Sequence, residues 1–377
     1  MPDLLIYADS IKSAEMRHEV PLAVPDPFLY GERNGTRHVL AHSMETARMG
    51  GLGLELHPQE EYGFDELVKS GLTRNQIRIE LVRRACRAWG IEDAVVPANF
   101  PLEIADGLRE AGVQVRADRE LFSRRRRIKN EAELDGIRRA QRAAEAGMAA
   151  ARDLLRRARP EHGILAIDGE MLTSERVKQE IERAFSQHEC SADEMIVSHG
   201  PQSAIGHHMG EGPIAPGEPV IIDIWPRDRE SGCYADMTRT FVVGEPPPEI
   251  AEWHGLVYES LQRSLAEMRA GAQDKRVNDV ASEVFEHAGY KTARSKEPGQ
   301  PLQEGFYHGL GHGVGLEVHE EPTLGILGKD ELLAGDVITV EPGLYRPDIG
   351  GVRLEDLVLV TDDGVENLTN FPYELTP

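Results

Sequence analysis

The sequence has few cysteines, few aromatic side chains, no long apolar run and no excess of basic residues. Its three cysteines, Cys86, Cys190 and Cys233, are widely spaced and form no CxxC pair. That argues against a disulfide framework or a cysteine-type zinc site and leaves buried or idle thiols. No run of about eighteen apolar residues occurs, and the opening MPDLLIYADS is not a basic segment followed by an apolar stretch, so a cytoplasmic protein with no membrane partner is expected. A formal charge of −23 argues against nucleic acid as a partner, because such binding depends on neutralising phosphates with Lys and Arg. The one basic run, Arg124 to Arg127, reads as a solvated link or helix start.

With 377 residues and 40% hydrophobic content, the chain is long enough for two domains and at least one large core. In the N-terminal third, Asn34-Gly35 separates two strand-like runs in "FLYGERNGTRHVLA", a hairpin signal because both residues tolerate positive φ. Helix, strand, helix and strand patterns follow in "LTRNQIRIELVRRACRAWG", "AVVP", "LEIADGLREAG" and "VQVRA". This describes a small α/β domain over residues 1–124. Near residue 123 the texture changes to a long Ala-, Glu- and Arg-rich helix, and a second domain is expected over 125–377.

That second segment carries a weak internal repeat, in which a pair of helices precedes a pair of strands, twice. Asp223 lies six residues after Gly217, and Glu341 six after Gly335; Asp236 then follows Asp223 by thirteen residues and Glu355 follows Glu341 by fourteen. An acid inside an apolar strand is expensive to bury unless it is paired or holds a metal. One such acid is unremarkable as a salt bridge, but four at duplicated positions point to a shared purpose. Carboxylates with one imidazole make a site suited to Mn²⁺, with Co²⁺, Fe²⁺ or Zn²⁺ as alternatives.

The imidazole is sought in "HGLGHGVGLEVHEE", which contains His308, His312 and His319. A zinc helix is a poor reading, since each interior glycine costs about 1 kcal/mol against alanine in a helix. Extended or turning chain is expected instead, with His312 as the ligand and Gly311 and Gly313 allowing close backbone approach to a crowded centre.

Taken in order, "DIWPRDRESGCYADMTRT", "HGLGHGVGLEVHEEP", "VEPGLY" and "GGVRLED" resemble the signatures of the pita-bread metallopeptidases, which include methionine aminopeptidase, aminopeptidase P and prolidase. The resemblance implies an α+β fold, with a C-terminal catalytic domain of duplicated helix-helix-strand halves behind a smaller creatinase-like α/β domain. It implies two divalent ions, Asp223 holding one, His312 and Glu341 the other, and Asp236 and Glu355 bridging both. It further implies Glu341 as general base, His207 or His319 stabilising the oxyanion, and Arg353 pairing with a bridging carboxylate or with substrate. His308 and Tyr345 would line the prolyl pocket. The spacing of the two aspartates is two residues longer than the family's usual spacing, which suggests extra residues in the loop "PRDRESGCY". In "SAIGHH", His207 matches the family's histidine by position, although His208 leaves the register open.

Three function classes follow. The first is hydrolysis of Xaa-Pro bonds in short proline-containing peptides, as a dipeptidase or alternatively as aminopeptidase P, by a homodimer. Creatinase-like amidinohydrolysis without metal and a non-catalytic binding module are the others, and the complete ligand set weighs against both.

Overall fold

In the computed structural model, which describes residues 2–377, β1 (Asp3–Ala8) pairs antiparallel with β2 (Phe28–Arg33), and Asn34 and Gly35, at φ 50° and 81°, turn the chain into β3 (Thr36–Ala41). Positive φ at both turn residues is what a tight two-residue hairpin needs. With β4 (Glu55–Pro58), β5 (Asp93–Val96) and β6 (Gln114–Ala117) these strands form a mixed sheet in the order β4-β3-β2-β1-β5-β6. The helix α1 (Arg74–Trp89) starts at a Thr73/Gln76 capping box. It buries Leu81, Val82, Ala85, Cys86 and Trp89 against Leu5, Leu29 and Leu40 of the sheet, alongside Ile104 and Leu108 of α2 (Leu102–Glu110). This unit ends at Arg126 and a second one occupies Arg127–Pro377.

The basic run differs from its expected solvated state. It closes the helix α3 (Arg119–Arg127), and its carboxylate partners allow Arg126 and Arg127 to be buried and Arg125 to be half-buried, while Arg124 stays exposed. Arg125 meets Glu19 and Glu32 at 2.6 and 2.7 Å, Arg126 faces Glu15 at 3.5 Å, and Arg127 meets Asp336, itself fully buried, at 2.6 Å. A guanidinium fork matched by carboxylate oxygens tolerates burial that an unpaired charge does not.

In the second unit the Ala-rich texture is interrupted at Ile128–Asn130, where Asn130 and Glu133 form a capping box for α4 (Glu131–Arg157). Its buried face carries several Ala and Gly residues, and a Cβ at Gly147 would stand 2.7 Å from the Phe185 ring, so α4 packs tightly on α5 (Ser174–Gln187). The pair covers an antiparallel sheet of β7 (Ile196–His199), β8 (Pro219–Ile224) and β9 (Met237–Val242) through Met148, Ile181, Phe185, Val197, Ile222 and Phe241. In the second half, α6 (Pro248–Glu267) and α7 (Asp274–His287) cover β10 (Gly311–Gly313), β11 (Glu320–Leu324), β12 (Val337–Val340), the hairpin β13 (Gly343–Arg346) and β14 (Gly350–Arg353), β15 (Asp356–Val360) and β16 (Val365–Asn367). The order β7-β8-β9 of the first half recurs as β10-β12-β15 in the second, which is the pita-bread duplication. Among the described residues, no helix is long and apolar enough to cross a membrane.

The duplicated acids do not all lie within strands, as the spacing had implied. Asp223 is inside β8, but Glu341 directly follows β12, and Asp236 and Glu355 directly precede β9 and β15. Strand ends open onto a cavity, whereas mid-strand positions are largely closed by packing. The long loop after β8 is folded rather than loose: Asp228 accepts from the Ser231 backbone at 2.8 Å and from Arg139 at 2.9 Å.

Candidate metal centre

The strand ends of the two halves meet around a cavity of about 850 Å³ lined by Asp223, Asp236, His312, Glu341 and Glu355, with His207, His308, His319 and Arg353 also on its wall. Three of these, Asp236, His312 and Glu355, offer donor atoms within 4.8 Å of one another. The stretch 308–321 is short strand and bends, as its glycines suggest. The close approach its glycines allow is to neighbouring backbone: a Cβ on Gly311 would fall 1.9 Å from the Thr339 carbonyl, and one on Gly313 2.5 Å from that of Glu321. Those glycines let β10 sit flush against β12 and β11 and so set His312 at the cavity.

The electrostatics of the cluster call for a cation. Burial pushes the Asp236 carboxyl well above its usual range, and Asp223 and Glu341 add to this while Arg353 opposes it. Glu355 is raised in the same way, first by burial and then by Asp236, Glu341 and Asp223. Glu341 is pushed up to about 8, by burial, against the pull of Arg353. One oxygen of Asp236, Oδ1, is buried with no hydrogen-bond partner among the described residues, and a lone acceptor of that kind is costly. Burial and the neighbouring His319 lower the His312 pKa to about 4, so the ring is neutral. Its Nδ1–H donates to the Gly313 carbonyl at 3.2 Å, which leaves the Nε2 lone pair 3.6 Å from Glu341 and 3.8 Å from Asp236. A neutral imidazole nitrogen facing carboxyls whose charged forms are disfavoured by burial and crowding is a donor set that could hold a metal ion, and the Nδ1 bond would fix the tautomer that ligation requires.

A family model described as metallopeptidase family M24 matches residues 135–362, more than half of the chain. The chain belongs to metallopeptidase family M24. Among M24 relatives, "Probable dipeptidase PepE" of Mycobacterium tuberculosis is 32% identical over 290 residues, 76% of this chain and 69% of that one. The "Xaa-Pro dipeptidase" of Pyrococcus furiosus is 36% identical over 185 residues, 49% of each chain. In fold, the X-Pro aminopeptidase of Thermotoga maritima superposes with a TM-score of 0.79 at 22% identity, covering 99% of this chain and 97% of that one. The Xaa-Pro dipeptidase of Bacillus anthracis gives 0.79 at 23%, over 100% and 94%.

Within the M24 catalytic unit the remaining residues take unequal places. Arg353 is buried and meets Asp223 at 2.5 Å, where a bridging carboxylate or the substrate had been the expected partner. Glu355 is met instead by the Thr238 hydroxyl at 2.7 Å. Arg353 also donates to the Tyr345 hydroxyl at 3.0 Å, Tyr345 donates to His308 Nε2 at 2.9 Å, and His308 Nδ1–H donates to the Gly309 carbonyl at 2.7 Å. The polar atoms of Tyr345 and His308 are all committed, and burial, with help from Arg353, lowers His308 to about 3, so His308 is a rigid neutral wall. Tyr345, only 1% exposed, stands behind that wall rather than on the cavity surface, and the ring that does face the cavity is Tyr307.

His319 lies with its ring 4.2 Å from that of His312. Burial, then His207, lowers its pKa. Of the adjacent pair, His207 lines the cavity while His208 turns its Nδ1 to the Gly210 backbone at 3.0 Å. Tyr307, Trp225, Met209 and Thr238 had not been singled out from the sequence. Trp225 had a legible signal, since it follows Asp223 by two and strand alternation puts it on the same face.

Proposed function

We propose that the chain hydrolyses the bond before proline in Xaa-Pro dipeptides, using two divalent metal ions held by Asp223, Asp236, His312, Glu341 and Glu355. The observation that carries this reading is the charge of the cluster. Fully ionised, its four carboxylates would stand against one guanidinium, Arg353, on the cavity wall and leave three negative charges, more than a single divalent ion offsets, and the raised pKa values of Asp236, Glu341 and Glu355 express that excess. Oxygen donors with one imidazole favour Mn²⁺, with Co²⁺, Fe²⁺ and Zn²⁺ as substitutes. Asp236 and Glu355, from opposite halves, would be shared by both ions, Asp223 would serve one, and His312 with Glu341 would serve the other.

When bound, such ions polarise the scissile carbonyl and acidify water at neutral pH. Glu341 takes the proton of the attacking water and hands it to the leaving nitrogen, which matters for a tertiary amide whose nitrogen leaves poorly unprotonated. His207 and His319 face the carbonyl oxygen and stabilise the charge that develops there. His308, held by Tyr345, is a flat wall for the pyrrolidine ring. Arg353 is the cation suited to the free carboxylate after proline. The dipeptidase names of the relatives support this substrate. The reading includes a cytoplasmic homodimer and a division of labour between residues 1–124 and the catalytic domain at 125–377.

After chelation and reconstitution with Mn²⁺, Ala-Pro should be cleaved, Ala-Ala poorly and Ala-Pro-Ala poorly, because the tripeptide places its carboxylate beyond Arg353. Comparable rates on Ala-Pro and Ala-Pro-Ala would turn the assignment to aminopeptidase P. Unchanged activity in fully metal-free protein would sink the two-ion mechanism.

A further inference from the structure

We infer that Tyr307 is the positioning residue for His207, clasping the loop that carries it to the rigid prolyl wall; this rests on the reading that His207 acts at the scissile carbonyl. The Tyr307 hydroxyl donates to the Ala204 carbonyl at 2.8 Å, and the Gly206 backbone N–H faces the same oxygen. One phenol therefore ties both ends of the segment directly before His207. A Cβ built on Gly206 would lie 3.7 Å from that hydroxyl and 3.8 Å from the ring, so the ring occupies the space beside the glycine in ordinary contact.

The clasp matters because little else holds this segment. Gly206 has the widest backbone freedom of any residue. Ile205 is 58% exposed and its backbone bonds only locally, to the Gln202 carbonyl at 3.0 Å and from the His208 N–H at 2.9 Å, and His207 is exposed, with no side-chain hydrogen bond among the described residues. On its other side the Tyr307 ring packs 4.7 Å from Tyr345 and 5.7 Å from His308. Those two are fixed through Arg353. Tyr307 thus transmits the rigidity of the second half to a histidine of the first. Its place on the cavity wall makes it a boundary of the bound substrate as well.

The test uses the full chain loaded with Mn²⁺ and four proteins: wild type, Tyr307→Phe, His207→Ala and the double variant. Tyr307→Phe keeps the ring and removes the clasp. It should lower kcat on Ala-Pro by about tenfold or more, the scale of a catalytic group drifting from its pose, with KM and bound metal unchanged. In the His207→Ala background the same change should cost less than about twofold, because residues acting as one unit are not additive. Hydrogen exchange at Gly206 should be faster in Tyr307→Phe, with or without metal. An equal loss in both backgrounds, a wild-type kcat for Tyr307→Phe, or unaltered exchange at Gly206 overturns the inference. A metal-loaded wild type inert toward Ala-Pro would instead reject the peptidase reading, and exchange at Gly206 would still decide whether the clasp exists.

Discussion

The two halves of the catalytic unit share a strand order and divide the chemistry unequally. The first half supplies Asp223, Asp236 and a loop histidine, His207. The second supplies Glu341, Glu355, the three histidines of 308–319 and Arg353, with Tyr345 behind them. Neither half satisfies its own acids. Asp223 is met by Arg353 of the second half, and Glu355 by Thr238 of the first. The Thr240 hydroxyl donates to the Arg353 carbonyl at 2.9 Å and accepts from its N–H at 3.0 Å. Duplication thus produced two similar scaffolds, and the centre is a property of the seam between them.

If the seam is the centre, removing an acid from either side should be equally damaging. Asp236→Ala and Glu355→Ala are each expected to lose at least one ion and to reduce kcat/KM by roughly 10³-fold or more. Metal content measured alongside kinetics checks this, and full occupancy of both sites in either variant would break the symmetry we assign to the pair.

The seam also has a structural pin. Arg239 of β9 donates to the carbonyls of Glu355 and Phe371 and to Asp356, at 2.7, 3.0 and 2.9 Å, and is 1% exposed. Arg239→Met strands Asp356 without its cation and should cost ~3–5 kcal/mol of stability in urea unfolding, the usual cost of breaking one side of a buried pair. An unchanged midpoint would mean the halves are held by apolar packing alone.

Within the second half, coordination and acid–base chemistry should separate. His312→Ala should lose metal, whereas His319→Ala should keep both ions and lower kcat by roughly 10². The opposite pattern would exchange the two assignments along the 308–319 stretch.

The smallest effect sharpens the comparison from the first half. Burial opposes charge on His199, but its hydrogen bonds to Glu218, 2.9 Å, and to the Glu211 carbonyl, 3.1 Å, prevail and raise its pKa above the ordinary value. His199 in turn lowers the Glu218 pKa. The histidine's contribution is complete below its unfolded pKa, about 6.5, and fades as pH rises through the raised folded value. That of Glu218 is complete above about 4.5 and fades as pH falls through its lowered value. Between these limits the pair should add no more than ~1 kcal/mol. The stability gap between wild type and His199→Gln should narrow from pH 6 to 9, and a gap that widened would reverse the assigned charge state.

Much of this protein was determined by sequence alone. The Asn34-Gly35 hairpin, the amphipathic helices and the duplicated acids are local patterns, because backbone sterics and strand or helix periodicity act over a few residues. That His312 sits in extended chain was legible for the same reason, as glycines on both sides disfavour a helix. Tertiary structure alone decided the partners. Arg353 reaches Asp223 across 130 positions, and Tyr307 reaches Ala204 across 103. It also put Tyr345 behind the wall rather than on it, and gave the run Arg124–Arg127 the carboxylates that let Arg126 and Arg127 be buried. No periodicity encodes such meetings; they follow from how two packed halves bring their strand ends together, and there a buried charge takes whichever partner the packing supplies.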